Sequence, residues 1–224
     1  MKRARRQAGF TMLEMVVVMA IVGIAAAMAV PSWRATMANS RLRDAAGDVA
    51  DLLSAARARA ISNNRTFVVY FDTGVNGGDD VCGNALQDLS GNPVPMLVLD
   101  DANGNCCIDP GEALITRPAA RGIQWGTDFA TAASPDDTDP GGTWALGSTF
   151  RDPADTQTEW VAFRADGIPV GFPNGGGACT LGTPGTGAGA IYLNNNRRDM
   201  AVVLTALGSV KVHGFEAVGG TWTD

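Results

Sequence analysis

What most limits the folding of this chain is an apolar run at its amino terminus. Phe10 to Val30 (FTMLEMVVVMAIVGIAAAMAV) is 21 residues long and holds a single charge, Glu14. As an α-helix the run reaches roughly 30 Å, about one hydrocarbon core of a bilayer. Lys2, Arg3, Arg5 and Arg6 precede it in a nine-residue stretch without an acid, and no comparable basic cluster directly follows. The positive-inside rule therefore expects a cytoplasmic amino terminus, with the rest of the chain across the membrane. Beyond the leader, thirteen basic side chains stand against 23 acidic ones, so the body is acidic. Such a body repels phosphate backbones, and a nucleic-acid role needs a local basic patch working against that field. Apolar residues make up 46% of the chain, enough for a real core, and 224 residues fit one anchored domain.

A secretory signal has a shorter apolar core, followed by a small-residue cleavage site, and is discarded. Here the order is reversed. The basic leader, residues 1–9, ends at Gly9, and the apolar helix follows at once as Phe10-Thr11-Met12-Leu13-Glu14. This arrangement resembles the type III leader of type IV pilins and pseudopilins. The resemblance implies cleavage by a prepilin peptidase between Gly9 and Phe10, N-methylation of Phe10, and retention of the helix. A carboxylate within an apolar run is costly unless paired, which makes Glu14 a functional candidate. The resemblance implies that Glu14, fifth after cleavage, neutralises the terminal amine of a neighbouring subunit and sets register during assembly. The plain alternative is a signal anchor whose glutamate reaches the membrane interface.

Residues 10–30 form the membrane-spanning half of the expected helix and residues 31–64 an amphipathic half. Pro31 is positioned to kink it where it leaves the bilayer. Beyond it Trp33, Met37, Leu42, Ala45, Val49, Leu52, Ala56 and Ala60 recur at mostly three- and four-residue intervals among charged residues, a stripe expected to pack on a sheet. The helix should end near Ser62-Asn63-Asn64. From residue 65 to 224, short apolar runs alternate with Gly, Pro, Asn and Asp clusters, as in an antiparallel sheet. Expected strands are 66–71, 96–99, 113–116, 122–125, 160–164, 190–193, 200–205 and 209–213. Residues 127–158 and 171–189 read as long exposed loops, and no internal repeat is evident. The expected fold is α+β, a long amino-terminal helix packed on an antiparallel β-sheet domain, pilin-like.

Trp160-Val-Ala-Phe-Arg164-Ala-Asp166-Gly167-Ile-Pro169, Ala190-Ile-Tyr-Leu193, Asp199-Met-Ala-Val-Val-Leu204 and Leu207-Gly208-Ser-Val-Lys211-Val212 together resemble the closing strands of the GspH/FimT family of minor pseudopilins. In that likeness Asp166-Gly167 forms a turn and Gly208 opens the last strand. The two long loops lie outside it.

The segment Asp101-Ala-Asn103-Gly104-Asn105-Cys106-Cys107-Ile108-Asp109-Pro-Gly-Glu112 places oxygen side chains at positions 1, 3, 5, 9 and 12 of an EF-hand-like calcium loop, with an apolar residue at 8. Cys106 at position 6, where glycine is wanted, and strand-like flanks count against it. A hairpin turn built from Asp, Asn and Gly is the competing reading. Calcium is thus the single cofactor candidate. The four cysteines, Cys82, Cys106, Cys107 and Cys179, suit disulfides in a periplasmic body. A bond between adjacent Cys106 and Cys107 needs strained geometry, so one of them is expected to join Cys82 and the other Cys179. Their spacings do not fit a structural zinc site. No enzyme is indicated: His213 is the sole histidine, there is no G-x-S-x-G, and the glycine-rich tract near residues 182–189 lacks the Gly-Lys-Ser/Thr that holds phosphates.

The resemblance implies a structural minor subunit of an inner-membrane-derived filament, either a type IV pilus or a type II secretion pseudopilus. Its partners would be other major and minor pilins or pseudopilins, the prepilin peptidase and the inner-membrane assembly platform. The alternative is a FimT-like DNA-binding minor pilin of natural transformation. Where DNA-binding members carry arginines after the glycine, this chain has Gly208-Ser209-Val210-Lys211. Lys211, Arg197 and Arg198 are then the local cations, more simply read as a solvated rim.

Overall fold

The computed structural model describes residues 10–75, 77–137, 143–175, 179–217 and 219–223; Gly9 and the rest of the leader lie outside them. Among the described residues the architecture comprises one α-helix, α1 (Met12–Asn63), ten strands and a short 3-10 helix. The chain divides into two compact units, residues 1–38 and 39–224, and α1 contributes to both.

In the first unit α1 continues across Pro31 without interruption. Its side chains from Phe10 to Val30 are exposed, as are Trp33 (71%) and Met37 (44%). The last two were expected in the helix stripe that packs on the sheet. They are not in it, because they precede Asn39, where the unit containing the sheets begins. In the second unit Leu42, Ala45, Ala46, Val49, Leu52, Leu53, Ala56 and Ala60 are buried along one helix face. The helix stops at Asn63 because Asn64 takes the left-handed conformation (φ 52°) and the Arg65 amide donates back to the Ala60 carbonyl at 3.2 Å. That is a Schellman-type end, with asparagine in the place glycine usually takes.

Two antiparallel sheets of five strands follow, where the sequence suggested one. The first has the order β3 (Leu114–Arg117), β2 (Met96–Asp100), β1 (Phe67–Phe71), β5 (Trp160–Phe163), β6 (Pro169–Val170). The second runs β10 (Thr221–Thr223), β9 (Val210–Glu216), β8 (Asp199–Leu204), β7 (Gly189–Asn194), β4 (Gln124–Trp125). Register pairs Tyr70 with Leu97 on one side and Trp160 on the other, and Ile191 with Val202. One continuous core joins the helix face to Phe67, Val69, Phe71, Val98, Val161 and Phe163 of the first sheet and to Ile191, Leu193, Val202 and Leu204 of the second.

Every residue of β1 is buried, because the reverse face of the first sheet is covered too. Val68, Tyr70, Leu97, Leu99 and Trp160 pack against Val81, Leu86, Val94, Cys106, Cys107 and Phe172 from the connecting segments. The reverse face of the second sheet (Ala190, Tyr192, Ala201, Val203) lies against Trp144 and Trp222, and Trp144 belongs to a short 3-10 helix, Thr143–Leu146. The two connections expected to lie exposed also reach the core, 127–158 through buried Phe150 and 171–189 through buried Phe172. Strands whose two faces are both covered read as continuous apolar runs, as FVVYF does.

Two hairpin tips meet the end of α1. Gly167 (φ 77°) and Gly208 (φ 79°) occupy tight turns in which a Cβ would come within 2.6 Å of Ile61 and 2.9 Å of the Gly167 carbonyl, respectively. Arg57 bridges them to the helix by donating from Nη1 to the Gly208 carbonyl at 2.8 Å. Glycine is needed at both positions for conformation and for space.

Candidate functional site

The first candidate site is the start of α1. Thr11 is its N-cap and Glu14 its third residue, and the two form a reciprocal capping box. The Glu14 amide donates to Thr11 Oγ1 (3.2 Å), while the Thr11 amide donates to Glu14 Oε2 (3.2 Å). The Thr11 hydroxyl reaches the same oxygen at 3.3 Å. Orphan amides at the helix start are thus satisfied from within the chain. Sequence reasoning gave Glu14 only an intermolecular partner; the S/T-x-x-E signature of the cap stands in Thr11-Met12-Leu13-Glu14 and went unread. The box holds the carboxylate beside Phe10, which is exposed. Gly9, the other half of the expected cleavage site, lies outside the described residues.

The second site is the cysteine-bearing layer. Cys82 is bonded to Cys107 and Cys106 to Cys179, with Cα separations of 5.7 and 5.3 Å. The adjacent pair thus ties the 72–95 connection and the 171–188 connection to one turn. Tyr70 donates its hydroxyl to the Cys106 carbonyl from beneath. Burial first, and then the charge of Asp80, push the Tyr70 phenol well above its ordinary pKa, so it stays a donor.

In the Asp101–Glu112 loop, Asp101 Oδ1 accepts from the amides of Gly104 (2.9 Å) and Asn105 (3.1 Å). The side-chain amides of Asn103 and Asn105 both donate to Asp109 Oδ2 at 2.7 Å, which with burial opposing holds the Asp109 carboxyl below its usual range. Glu112 accepts from the Ala102 amide (3.0 Å) and the Asp109 amide (3.3 Å). The flanks are strands, β2 and β3, as the sequence suggested. Cys106 takes φ 59°, the left-handed conformation wanted at position 6. Hydrogen bonds thus tie Asn103 and Asn105 to Asp109, while Asp101 and Glu112 hold the same loop through its main-chain amides.

The cation cluster fares differently. Lys211 donates to Asp136 Oδ2 at 2.7 Å, and Arg198 lies 3.8 Å from Glu216. Arg197 is exposed in the β7–β8 turn, its backbone amide donating to Asn195 Oδ1 at 3.0 Å. His213 is buried on β9, with Nε2 3.8 Å from the same Asp136 oxygen. Two of the three candidate DNA cations thus already face carboxylates.

Two buried acids escaped sequence reasoning. Glu159 accepts from the amides of Thr73 (2.8 Å), Val75 (3.2 Å) and Gly78 (3.2 Å) and from the Thr73 hydroxyl (2.7 Å). Asp199 accepts from the amides of Asp128 (3.0 Å), Phe129 (2.8 Å) and Ala130 (2.6 Å). Each pins a distant loop through main-chain amides, which every residue but proline offers, so no side-chain pattern announces the contact.

Comparison with known proteins adds the following. Residues 4–30 match the prokaryotic N-terminal methylation motif. Over 118 residues the chain is 29% identical to the fimbrial protein EcpC of Eikenella corrodens, an alignment covering 53% of this chain and 69% of that protein. Over 77 residues it is 35% identical to a fimbrial protein of Moraxella nonliquefaciens, covering 34% of this chain and 49% of the other. No solved structure matches.

Proposed function

We propose that this chain, a type IV pilin-like protein with a prepilin leader, is a minor pilin or pseudopilin of GspH/FimT type that helps to start or cap a filament. As a pilin-type subunit it is structural rather than enzymatic, and it assembles with other pilins. The finer reading has the leader removed between Gly9 and Phe10, Phe10 methylated, and the apolar half of α1 held in the inner membrane with the body periplasmic.

The observation that carries this reading is the capping box. A carboxylate fixed beside Phe10 at the head of an exposed apolar helix is poised for an ammonium group in a low-dielectric bundle, where an ion pair answers the cost of each charge alone. The Lys211–Asp136 and Arg198–Glu216 pairs weigh against the DNA-binding alternative, since phosphate contacts would have to displace them.

The test co-expresses the chain with a prepilin peptidase and sequences the mature protein by mass spectrometry. The expected product begins with methylated Phe10. Glu14→Leu should still insert and be cleaved, yet be lost from sheared filaments. A chain that keeps its leader beside an active peptidase would contradict the processing step, and normal filament incorporation of E14L would contradict the role given to Glu14.

A further inference from the structure

A five-residue turn, Asp-x-x-Gly-Asn, occurs three times: at Asp80–Asn84, Asp88–Asn92 and Asp101–Asn105. A fourth turn, Asp152–Thr156, has Asp155 in the glycine position at φ 67°. Three of the four are built alike. In each, one aspartate oxygen accepts the amides two and four residues on, at 2.8–2.9 Å. In each, the aspartate amide donates to the carbonyl of the fifth residue. The second oxygen is occupied as well in the two that end in asparagine. Asp80 Oδ2 takes Asn84 Nδ2 (2.9 Å) and the Ile108 amide (2.7 Å), and Asp88 Oδ2 takes Asn92 Nδ2 (3.0 Å).

Asp101 departs from its siblings although it shares their sequence. Its Oδ1 accepts the amides three and four residues on, and Asn105 turns its side chain to Asp109 instead of back to Asp101. Asp101 is only 4% exposed, and among the described residues its buried Oδ2 has no hydrogen-bond partner. A buried carboxylate oxygen left empty costs free energy, which the sibling turns show this sequence pattern is able to avoid. Asp109 and Glu112 belong to the same loop, Asp109 taking the Asn103 and Asn105 side-chain amides and Glu112 the Asp109 main-chain amide. Among the described residues no lysine or arginine is paired with Asp101, Asp109 or Glu112.

The donors are hard oxygens carrying three formal negative charges, which suits a calcium-like cation rather than zinc or copper. The sulfurs of Cys106 and Cys179 lie within 4.8 Å of an Asp101 oxygen, but they are bonded to each other and withdrawn from coordination. Two disulfides and the left-handed Cys106 fix the loop before any ion arrives. We propose that Asp101, Asn103, Asn105, Asp109 and Glu112 form a calcium site, with Asp101 Oδ2 as its buried ligand. The proposal rests on residues of the Asp101–Glu112 loop and not on the leader motif or Glu14, so it can fail without the pilin reading failing, and the reverse.

The test titrates the full chain, in detergent micelles and with both disulfides intact, against calcium chloride after chelator treatment. Calorimetry should give one calcium per chain. Saturation should raise the melting midpoint by roughly 5–10 °C, the shift expected for a ligand near a hundredfold over its dissociation constant. Asp101→Asn should abolish both responses and Asp88→Asn, at a sibling turn, should keep them. Because D101N could misfold, Glu112→Gln provides a second variant, expected to weaken binding at least about tenfold, the loss for one missing charged ligand. No heat and no shift from the wild-type chain at millimolar calcium would overturn the site. Equal responses to magnesium chloride would overturn its assignment to calcium.

Discussion

Between Phe10 and Val30 the apolar side chains of α1 are exposed, whereas between Leu42 and Ala60 those of one face are buried against two sheets. Both stretches are good helix and both are rich in small and aliphatic residues. They differ in the arrangement of polar groups. Around the first stretch there is almost none, so the helix is apolar on every side and has no solvent face. Around the second, charged residues leave a single stripe. A stripe can be satisfied by one surface, and this chain supplies that surface. A helix apolar all round needs neighbours on all sides, and the methylation motif at residues 4–30 fits membrane anchoring and filament incorporation. One element thus presents two kinds of surface, and only the second of them packs on the sheets.

The sharpest way to test that division is to weaken the body and ask whether the anchor notices. The disulfides offer the largest effect. Chain entropy assigns about 4.4 kcal/mol to a closed loop of the Cys106–Cys179 separation, 73 residues, and about 3.5 kcal/mol to that of Cys82–Cys107, 25 residues. Cys106→Ser with Cys179→Ser should therefore destabilise the body most in urea melts of the micelle-bound protein. Far-UV circular dichroism should retain the signal of the membrane half after the body has unfolded. Loss of all helicity in one transition would show that the two halves are not independent.

Next come paired substitutions along α1 itself. Leu53 is fully buried, and Leu53→Ala should cost about 3 kcal/mol through lost transfer energy plus the cavity left behind. Val17 is half exposed, and Val17→Ala should leave the urea midpoint of the body unchanged within about 0.5 kcal/mol. If V17A shifted that midpoint as far as L53A, the two stretches of α1 would not differ in their contribution to the body.

The legibility of the chain follows the same division. The exposed apolar half of α1 could be read almost entirely from sequence, because length and apolarity are local properties. All eight expected strands are present within a few residues of their expected bounds. The two that were not foreseen, Pro169–Val170 and Thr221–Thr223, are two and three residues long, too short for any period to show. The split into two sheets could not be read, because pairing is set by contacts between distant residues rather than by local pattern. Trp33 and Met37 misled because periodicity marks a face without saying what lies opposite it. Among site residues the acidic loop was legible as spacing, and its left-handed Cys106 was not, since a residue type other than glycine or asparagine rarely announces a positive φ. Glu159 and Asp199 were invisible for a related reason: their partners are backbone amides up to 86 residues away.

The smallest effect lies on the surface of the body, where Asp136 meets Lys211 at 2.7 Å. The hydrogen bond from Lys211 is the main reason the Asp136 carboxyl sits below its usual range, with the charge of Lys211 and then of His213 adding and burial opposing. A carboxyl lowered on folding binds its proton more readily in the unfolded chain. The stability it lends is therefore present above the unfolded value, about pH 3.9, and is lost as the pH falls through the lower folded value. Lys211→Ala should move the Asp136 titration midpoint upward toward that ordinary value, which carboxyl carbon chemical shifts would follow directly. The same variant should leave the urea midpoint near neutral pH almost unchanged, because an exposed pair is strongly screened. A large loss at neutral pH would mean that Asp136 and Lys211 fix the 127–137 segment on β9, and that the rim, like the loop layer on the first sheet, belongs to the structural body.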